Sequence, residues 1–209
     1  MNARRKTGVI CCVILCLMLC FLGCSRTKVP EEISVPALSV TSKGQVTAWL
    51  IEDFDKDYYD LKELRAMVDE EVAAFNKNHT SQEGMDAVTV QSLAESTDGS
   101  QKVTLVLQFR DTAAYKDYTG ADLFYGTVTQ AMEAGYDLDV QLISTKDGTT
   151  IEQTEIQEKG KNHILIAQEK VLIYGPAKPL YISPGTATNE DGSVEVSENA
   201  EDNIYIIMK

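Results

Sequence analysis

Apolar residues along the chain follow two different periods. In residues 45–54 they occupy both sets of alternating positions, which predicts a β-strand that is at least partly buried on both faces. After residue 60 the spacing changes to three and four, so that apolar side chains form one stripe along a predicted helix. This stripe consists of Leu61, Leu64, Val68, Val72 and Phe75.

The predicted helices begin at residues whose side chains accept hydrogen bonds from first-turn amides. Asp60 and Glu63 form a capping box at the start of the helix with the apolar stripe, which is predicted to end near residue 76. Asp111 is the predicted cap of a short helix that runs through residue 118. A second capping box, Thr127 with Gln130, predicts a third helix that ends near residue 135.

The other apolar segments are short and predict strands. Residues 87–94 and 103–109 flank a loop containing Asp98-Gly99, which is typical of a β-hairpin. Further strands are predicted at residues 140–144, 150–157, 163–168, 171–174, 180–182, 194–196 and 204–208. Because helices cluster early and strands late, the sequence predicts a single α+β domain with a mostly antiparallel sheet and two or three helices packed on it.

The first 24 residues have the pattern of an export signal. A basic group, Arg4-Arg5-Lys6, precedes an apolar run at residues 8–23. This run is about four residues shorter than the roughly 20 that a membrane-spanning helix needs. A basic head, a short apolar middle and a small residue at the exit predict a secretory signal peptide at residues 1–23. All five cysteines lie in this segment: Cys11, Cys12, Cys16, Cys20 and Cys24.

Leu22-Gly23-Cys24 resembles the lipobox of bacterial lipoproteins, in which the cysteine thiol is lipidated and becomes the mature N-terminus. The resemblance implies a lipid anchor on Cys24 at the extracytoplasmic face of the cell membrane. Two acyl chains would suffice, because one chain of myristoyl length holds only marginally whereas two attach stably. An uncleaved single-span anchor and ordinary secretion are the alternatives. The lipobox usually has leucine three residues before the cysteine and a small residue two before it. This chain has Phe21 and Leu22 at those positions.

The segment after the cysteine differs in composition from the rest of the chain. Residues 24–43 hold two prolines and small polar residues with no sustained period, which predicts a lipidated cysteine followed by a flexible tether. The folded extracytoplasmic domain is then predicted to comprise residues 44–209.

The chain is acidic, with a formal net charge of −13. Residues 1–23 carry three basic and no acidic groups, so their removal leaves 16 basic against 32 acidic groups, a charge of −16. Such a body is repelled by phosphate backbones, which excludes nucleic acid as a partner.

One acidic cluster has the spacing of metal ligands. Asp53, Asp55 and Asp57 match the first three ligand positions of a calcium loop. The loop also needs a glycine where Tyr58 stands and a glutamate where Leu64 stands. Carboxylates at a helix start are favoured by the helix dipole, which explains the same residues more simply. The sequence therefore predicts no metal site.

Catalytic motifs are absent from the sequence. His79 and His163 are the only histidines, and neither has a nearby cysteine or histidine with which to bind zinc. There is no Gly-x-Ser-x-Gly elbow and no glycine-rich phosphate loop. We therefore predict no catalytic residues and no cofactor. A hydrolase site assembled from residues distant in sequence is the alternative.

Three segments, residues 46–76, 123–127 and 134–137, are similar to uncharacterised lipoproteins of Gram-positive gut bacteria. This resemblance covers most of the mature chain and lends no catalytic residues. It carries over nothing functional beyond the anchor. Because the sequence combines an export anchor and an ordinary packed body with no catalytic constellation, we predict a non-enzymatic binding or accessory domain at the membrane, with a protein partner in the cell envelope. The alternatives are an exported hydrolase and a structural or folding-assistance role.

Substitution of Cys24 by serine is expected to abolish incorporation of labelled palmitate, because a hydroxyl is a far weaker nucleophile than a thiol. Metabolic labelling followed by immunoprecipitation measures this. Cys20→Ser changes a thiol in the signal core and should leave the label in place. Label that persists in Cys24→Ser would reject Cys24 as the acceptor.

Overall fold

The computed structural model describes residues 27, 29–79 and 84–209. The described residues form thirteen strands and four α-helices. The strands are β1 Ala37–Val40, β2 Val46–Asp53, β3 Val88–Glu95, β4 Lys102–Phe109, β5 Leu123–Thr127, β6 Leu142–Ser144, β7 Thr150–Ile151, β8 His163–Ala167, β9 Leu172–Tyr174, β10 Pro179–Ile182, β11 Thr186–Thr188, β12 Val194–Val196 and β13 Ile204–Met208. The helices are α1 Leu61–His79, α2 Thr112–Thr119, α3 Val128–Glu133 and α4 Gln153–Glu158.

The strands form two sheets. The large sheet has seven strands in the order β11-β12-β9-β1-β2-β4-β3, and the small sheet has six in the order β5-β8-β13-β10-β6-β7. Neighbouring strands are antiparallel except for β1 and β9, which are parallel. The predicted mixed fold with mostly antiparallel strands is confirmed. The predicted numbers are not, because the described residues form two sheets rather than one and four helices rather than two or three.

The main hydrophobic core lies between the two sheets. Leu38, Val46 and Leu107 of the large sheet belong to the same buried cluster as Leu165 and Ile206 of the small sheet. Helix α1 packs on the β3 end of this core through Val68 and Val72. The two sheets therefore share one core and bury their facing sides together.

The small sheet is buried on its other face as well. Ile164, Ile166 and Ile207 form a second cluster with Val128 of α3 and Ile156 of α4. Burial on both faces explains why β8 and β13 are apolar along almost their whole length, a pattern that alternation alone would not produce.

The predicted tether is wrong from residue 37 onward. Strand β1 lies inside the large sheet, where it pairs with β2 on one side and β9 on the other. Ala37, Leu38 and Val40 are each at most 3% exposed. The two prolines of this segment suggested a linker, but both precede the strand, and Pro36 accepts a backbone hydrogen bond from Leu172 at 3.1 Å. The folded part therefore begins well before residue 44.

The chain contacts the fold even earlier, at Thr27. A Cβ atom built on Gly192, in the turn between β11 and β12, would lie 3.3 Å from the Thr27 hydroxyl oxygen. Gly192 has a φ of +87°, so both its backbone conformation and this close approach favour glycine.

The predicted helix starts are confirmed. One carboxylate oxygen of Asp60 accepts from the amides of residues 62 and 63 at 2.8 and 2.9 Å, which is half of the predicted capping box. The return bond from the Asp60 amide to Glu63 is not found among the described residues. Asp111 accepts from the amide of residue 114 at 2.8 Å. Thr127 and Gln130 make both bonds of a capping box, at 3.1 and 2.8 Å. Helix α1 ends at His79, three residues later than predicted.

The predicted strand at residues 150–157 is wrong, because only Thr150–Ile151 is extended and Gln153–Glu158 is helical. The Glu155 carboxylate accepts from the Glu152 amide at 3.1 Å, which stabilises the first turn of α4. This turn brings Ile156 into the second core, where it is fully buried. Strands β5 and β11 were not predicted from the alternation of residues.

Asn76 joins the end of α1 to the start of β3. Its side-chain oxygen accepts from the amides of Ala87 and Val88, each at 3.0 Å, and its nitrogen donates to the Val88 carbonyl at 2.8 Å. The side chain thereby satisfies backbone groups at the edge of the large sheet, where β3 is the last strand among the described residues.

Replacement of Asn76 by alanine is expected to lower the free energy of unfolding by about 1–3 kcal/mol, because partly buried backbone groups lose their partner. Urea unfolding followed by circular dichroism measures this. Asn78→Ala, at an exposed position two residues away, should change stability by less than about 0.5 kcal/mol. Equal effects of the two substitutions would contradict the role of Asn76.

Candidate functional site

Strand β2 is twice as long as its neighbour β1. Strand β1 pairs only with residues 46–49 of β2, whereas β4 pairs with all eight residues of β2. Among the described residues, the second half of β2 therefore has a strand on one side only. Leu50 begins this half and is 42% exposed, although it lies on the same face as the buried Val46 and Ala48.

Leu50 is one end of a row of three leucines. It pairs directly with Leu105 of β4, which pairs in turn with Leu93 of β3. The first turns of α1 form a wall beside this row with Leu64 and Met67. The space between is an open cavity of about 430 Å³, which we call the tyrosine cleft. Its lining residues are Leu50, Glu52, Asp53, Phe54, Tyr58, Tyr59, Asp60, Glu63, Leu64, Met67, Leu93, Val103 and Leu105.

Three aromatic rings close one end of the tyrosine cleft. Phe54 and Tyr59 stack with their ring centroids 5.0 Å apart, and Tyr58 meets Tyr59 edge to face at 4.9 Å. A hydrogen bond from the Phe54 amide to the Gln101 carbonyl, 2.7 Å long, holds this loop to the β3–β4 hairpin. Tyr58 remains 78% exposed and Met67 67% exposed, so both present apolar surface to solvent.

The rim of the tyrosine cleft is acidic. Glu52, Asp53, Asp60 and Glu63 line it, and none of the lining residues is a lysine, arginine or histidine. Asp53 has a distant ion pair with Lys102, at 3.8 Å. Because these groups are exposed, they keep their hydration and act on a ligand chiefly by long-range attraction.

The candidate calcium ligands do not come together. Within the described part of the chain, no group of three acidic, histidine or cysteine side chains is arranged to hold a metal ion. Asp60 caps α1, and Asp55 pairs with Lys56 at 2.8 Å. The hydrogen bond from Lys56 lowers the pKa of Asp55.

A second cavity adjoins the tyrosine cleft beyond Leu50. It has a volume of about 320 Å³, and we call it the α2 recess because Tyr115 and Tyr118 of α2 form one of its walls. Leu50 and Glu52 line both cavities. The far wall is the loop at residues 169–171. Together the two cavities form one groove across the open half of β2.

Tyrosine hydroxyls in the α2 recess are held in the neutral form. The Tyr115 hydroxyl donates to the Glu169 carboxylate, and burial followed by this bond raises the pKa of Tyr115 above its usual range. Burial, followed by the negative charge of Glu71, raises the pKa of Tyr118 to about 12. Lys170 also lines the recess, but its ammonium donates to the Glu198 carbonyl at 2.8 Å.

Neither histidine lines this groove. The His79 ring stacks on Phe75 at 3.8 Å, and its Nδ1 atom lies 2.8 Å from the Phe75 carbonyl oxygen. Since α1 rises 1.5 Å per residue, His79 is about 24 Å along the helix from Glu63 at the cleft. His163 stacks on Tyr125 at 5.4 Å. The predicted lipidation site, Cys24, lies outside the described residues.

A larger cavity of about 550 Å³ lies between α1 and the edge strand β3. Several of its polar groups already have partners within the fold. Arg65 pairs with Asp69 through both carboxylate oxygens at 3.0 and 3.1 Å, and Asn76 bonds to the backbone of β3. The tyrosine cleft is the better candidate site, because its apolar side chains are exposed without cover.

Comparison with known proteins leaves the site to be interpreted from its geometry alone. No family model, no curated protein and no solved structure matches this chain. A helix long and apolar enough to cross a membrane does not occur among the described residues.

The raised pKa of Tyr118 predicts a loss of stability at high pH. An unfolded tyrosine ionises near pH 10, before the folded group does, so the unfolded state releases its proton first. The wild type should therefore lose stability relative to Tyr118→Phe as pH rises from about 10 to about 12. Melting temperatures of both proteins at intervals from pH 7 measure this difference. The difference should be constant below pH 9, and a constant value up to pH 12 would contradict the assignment.

Proposed function

We propose that this protein is a membrane-anchored extracytoplasmic lipoprotein, attached through Cys24, whose folded domain binds a partner in the tyrosine cleft without catalysing a reaction. The observation that supports it best is the exposure of Leu50, Tyr58, Tyr59 and Met67 around one concave surface. Concentrated apolar surface on a folded domain is typical of interaction sites.

A partner that covers the tyrosine cleft would gain free energy by burying its exposed apolar side chains. Complete burial of a leucine or methionine side chain contributes about 1.5–3 kcal/mol. The half-exposed side chains of the tyrosine cleft can therefore supply several kcal/mol to binding. The strands and the capped helix already fix them in place, so that a partner orders little of the protein on arrival.

The proposed anchor would present the tyrosine cleft away from its point of attachment. Cys24 is three residues before Thr27, which touches Gly192 beside β12, so lipid and fold are separated by at most about 11 Å of chain. The cleft lies over β2, β4 and β3. Strands β12 and β4 are four positions apart in the large sheet, or about 19 Å.

An exported hydrolase finds no specific support in the geometry. The two histidines that it would use contact Phe75 and Tyr125, in separate parts of the fold. A folding-assistance role would use the same exposed apolar surface as partner binding, so the tyrosine cleft is where either would be tested.

A neutral aromatic probe, indole, is expected to bind in the tyrosine cleft with a dissociation constant on the order of 1–10 mM, given its size. Carbon-13 labelling of the methionine methyl groups in the full chain, reconstituted in lipid nanodiscs, measures this by NMR. The Met67 resonance should shift saturably with indole, whereas that of Met132, which lies on α3 outside the cleft, should not.

Two substitutions test whether the Met67 shift requires the cleft leucine or responds to a change at any exposed leucine. Leu50→Glu should abolish the Met67 shift. Leu180→Glu, at a leucine that is 36% exposed on β10 and does not line the cleft, should leave it unchanged. If indole shifts Met67 and Met132 equally, or if Leu50→Glu has no effect, the tyrosine cleft is not a binding site.

A further inference from the structure

We propose that the tyrosine cleft and the α2 recess together bind a basic peptide segment of a partner protein, which inserts one apolar side chain into each cavity. This inference rests on the proposed function and specifies the chemistry of the partner. Two features carry it: the division of the groove by Leu50, and the charge of its rim.

The shape of the groove favours an elongated occupant. Two cavities of about 430 and 320 Å³ lie on either side of Leu50 and share it as a common wall. The first cavity extends over β4 and β3, and the second is lined by residues of β1, β2, β4 and α2. A peptide in polyproline II conformation has three residues per turn and rises about 3.1 Å per residue, so side chains three positions apart lie on one face, about 9 Å from each other. Two apolar anchors with this spacing can enter the cavities on the two sides of Leu50.

The charge of the rim favours a basic occupant. Glu52 lies between the two cavities, Asp53, Asp60 and Glu63 line the tyrosine cleft, and Glu169 lines the α2 recess. Of the nearby cations, Lys102 offsets part of the charge of Asp53 at a distance of 3.8 Å, and Lys170 donates to the Glu198 carbonyl. Glu52, Asp60 and Glu63 form no ion pair among the described residues, so the rim keeps a net negative charge. Lysine or arginine residues beside the apolar anchors would meet this rim.

The aromatic rings add a second attraction for cations. The faces of Tyr58 and Tyr59 are partly exposed, at 78% and 42% of each residue's surface. A guanidinium or ammonium group placed over a tyrosine face is attracted by the ring quadrupole, and arginine is the side chain most often found there. An arginine next to the first apolar anchor would reach these rings.

Other occupants fit the charge less well. A second copy of the chain would bring another acidic rim against this one, and the chain carries a net charge of −13. Anionic lipid headgroups would be repelled for the same reason. Both remain distinguishable outcomes of the test.

The test is selection of random twelve-residue peptides, displayed on phage, against the full chain in phosphatidylcholine vesicles. Peptides with two apolar residues about three positions apart and at least two lysines or arginines should be enriched. Their affinity should fall about tenfold in the double variant Glu52→Lys, Glu63→Lys, because each substitution removes an exposed ion pair that changes affinity up to about fivefold and also adds a repulsive charge. This variant should instead enrich acidic peptides.

The matched control is the double variant Glu133→Lys, Glu158→Lys, which makes the same change in net charge at exposed positions outside the groove. Its affinity for the selected basic peptides should stay within about twofold of the wild type. Equal losses in the two double variants would show that only net charge matters and would overturn the inference.

The remaining outcomes separate this inference from the proposed function. Enrichment of neutral or acidic peptides that require Leu50 would overturn the basic chemistry and leave the cleft as a binding site. The inference would also be overturned, with the cleft still a binding site, if indole shifts Met67 but the selection enriches no peptide. Occupation of the groove by lipid or by a second copy of the chain would have the same consequence. Failure of both the selection and the indole titration would overturn both proposals.

Discussion

The pairing of β1 between β2 and β9 is the interaction on which the rest of the structure depends. Four residues of β1 join a strand from the first part of the chain to one from the last part, and so complete the large sheet over the shared core. Because β1 ends its pairing at Trp49, the second half of β2 keeps an open edge. Leu50 begins this open half and is 42% exposed, and the groove extends on either side of it.

The groove is held by elements that need no ligand to form. Leu50, Leu105 and Leu93 are fixed in register by two antiparallel pairings, and Asp60 fixes the start of the helix that walls the cleft. At its other end, α1 is bonded to β3 through Asn76. Tyrosine rings have few rotatable bonds, so they offer contact area at small entropic cost. Such a surface is suited to recognition. The partly buried pair of Tyr115 and Glu169 joins α2 to the loop at residues 169–171.

Local signals in the sequence were sufficient to predict most of the helices and the long β3–β4 hairpin. The caps at Asp60, Asp111 and Thr127 act within three residues, so they can be recognised without knowledge of the fold. Strand β1 was missed because its burial comes from neighbours that are distant in sequence, while nearby prolines suggested a linker. The groove could not be predicted for the same reason. Alternation places Leu50 on the face of Val46 and Ala48, but how far that face is covered depends on β1, which begins opposite Trp49, and on other elements distant in sequence. The sequence shows that the chain is acidic, but it does not show that acidic residues surround one apolar groove.

Site-specific photo-crosslinking in the membranes of cells that produce the protein tests most directly whether a basic protein segment occupies the tyrosine cleft. Benzoylphenylalanine in place of Met67, at the wall of the tyrosine cleft, should crosslink to a protein segment rich in lysine or arginine with apolar residues between them, as mapped by mass spectrometry. The same group in place of Leu180, on β10, should give no such product. Crosslinks from position 67 only to lipid, to a second copy of the chain or to acidic segments would contradict the account.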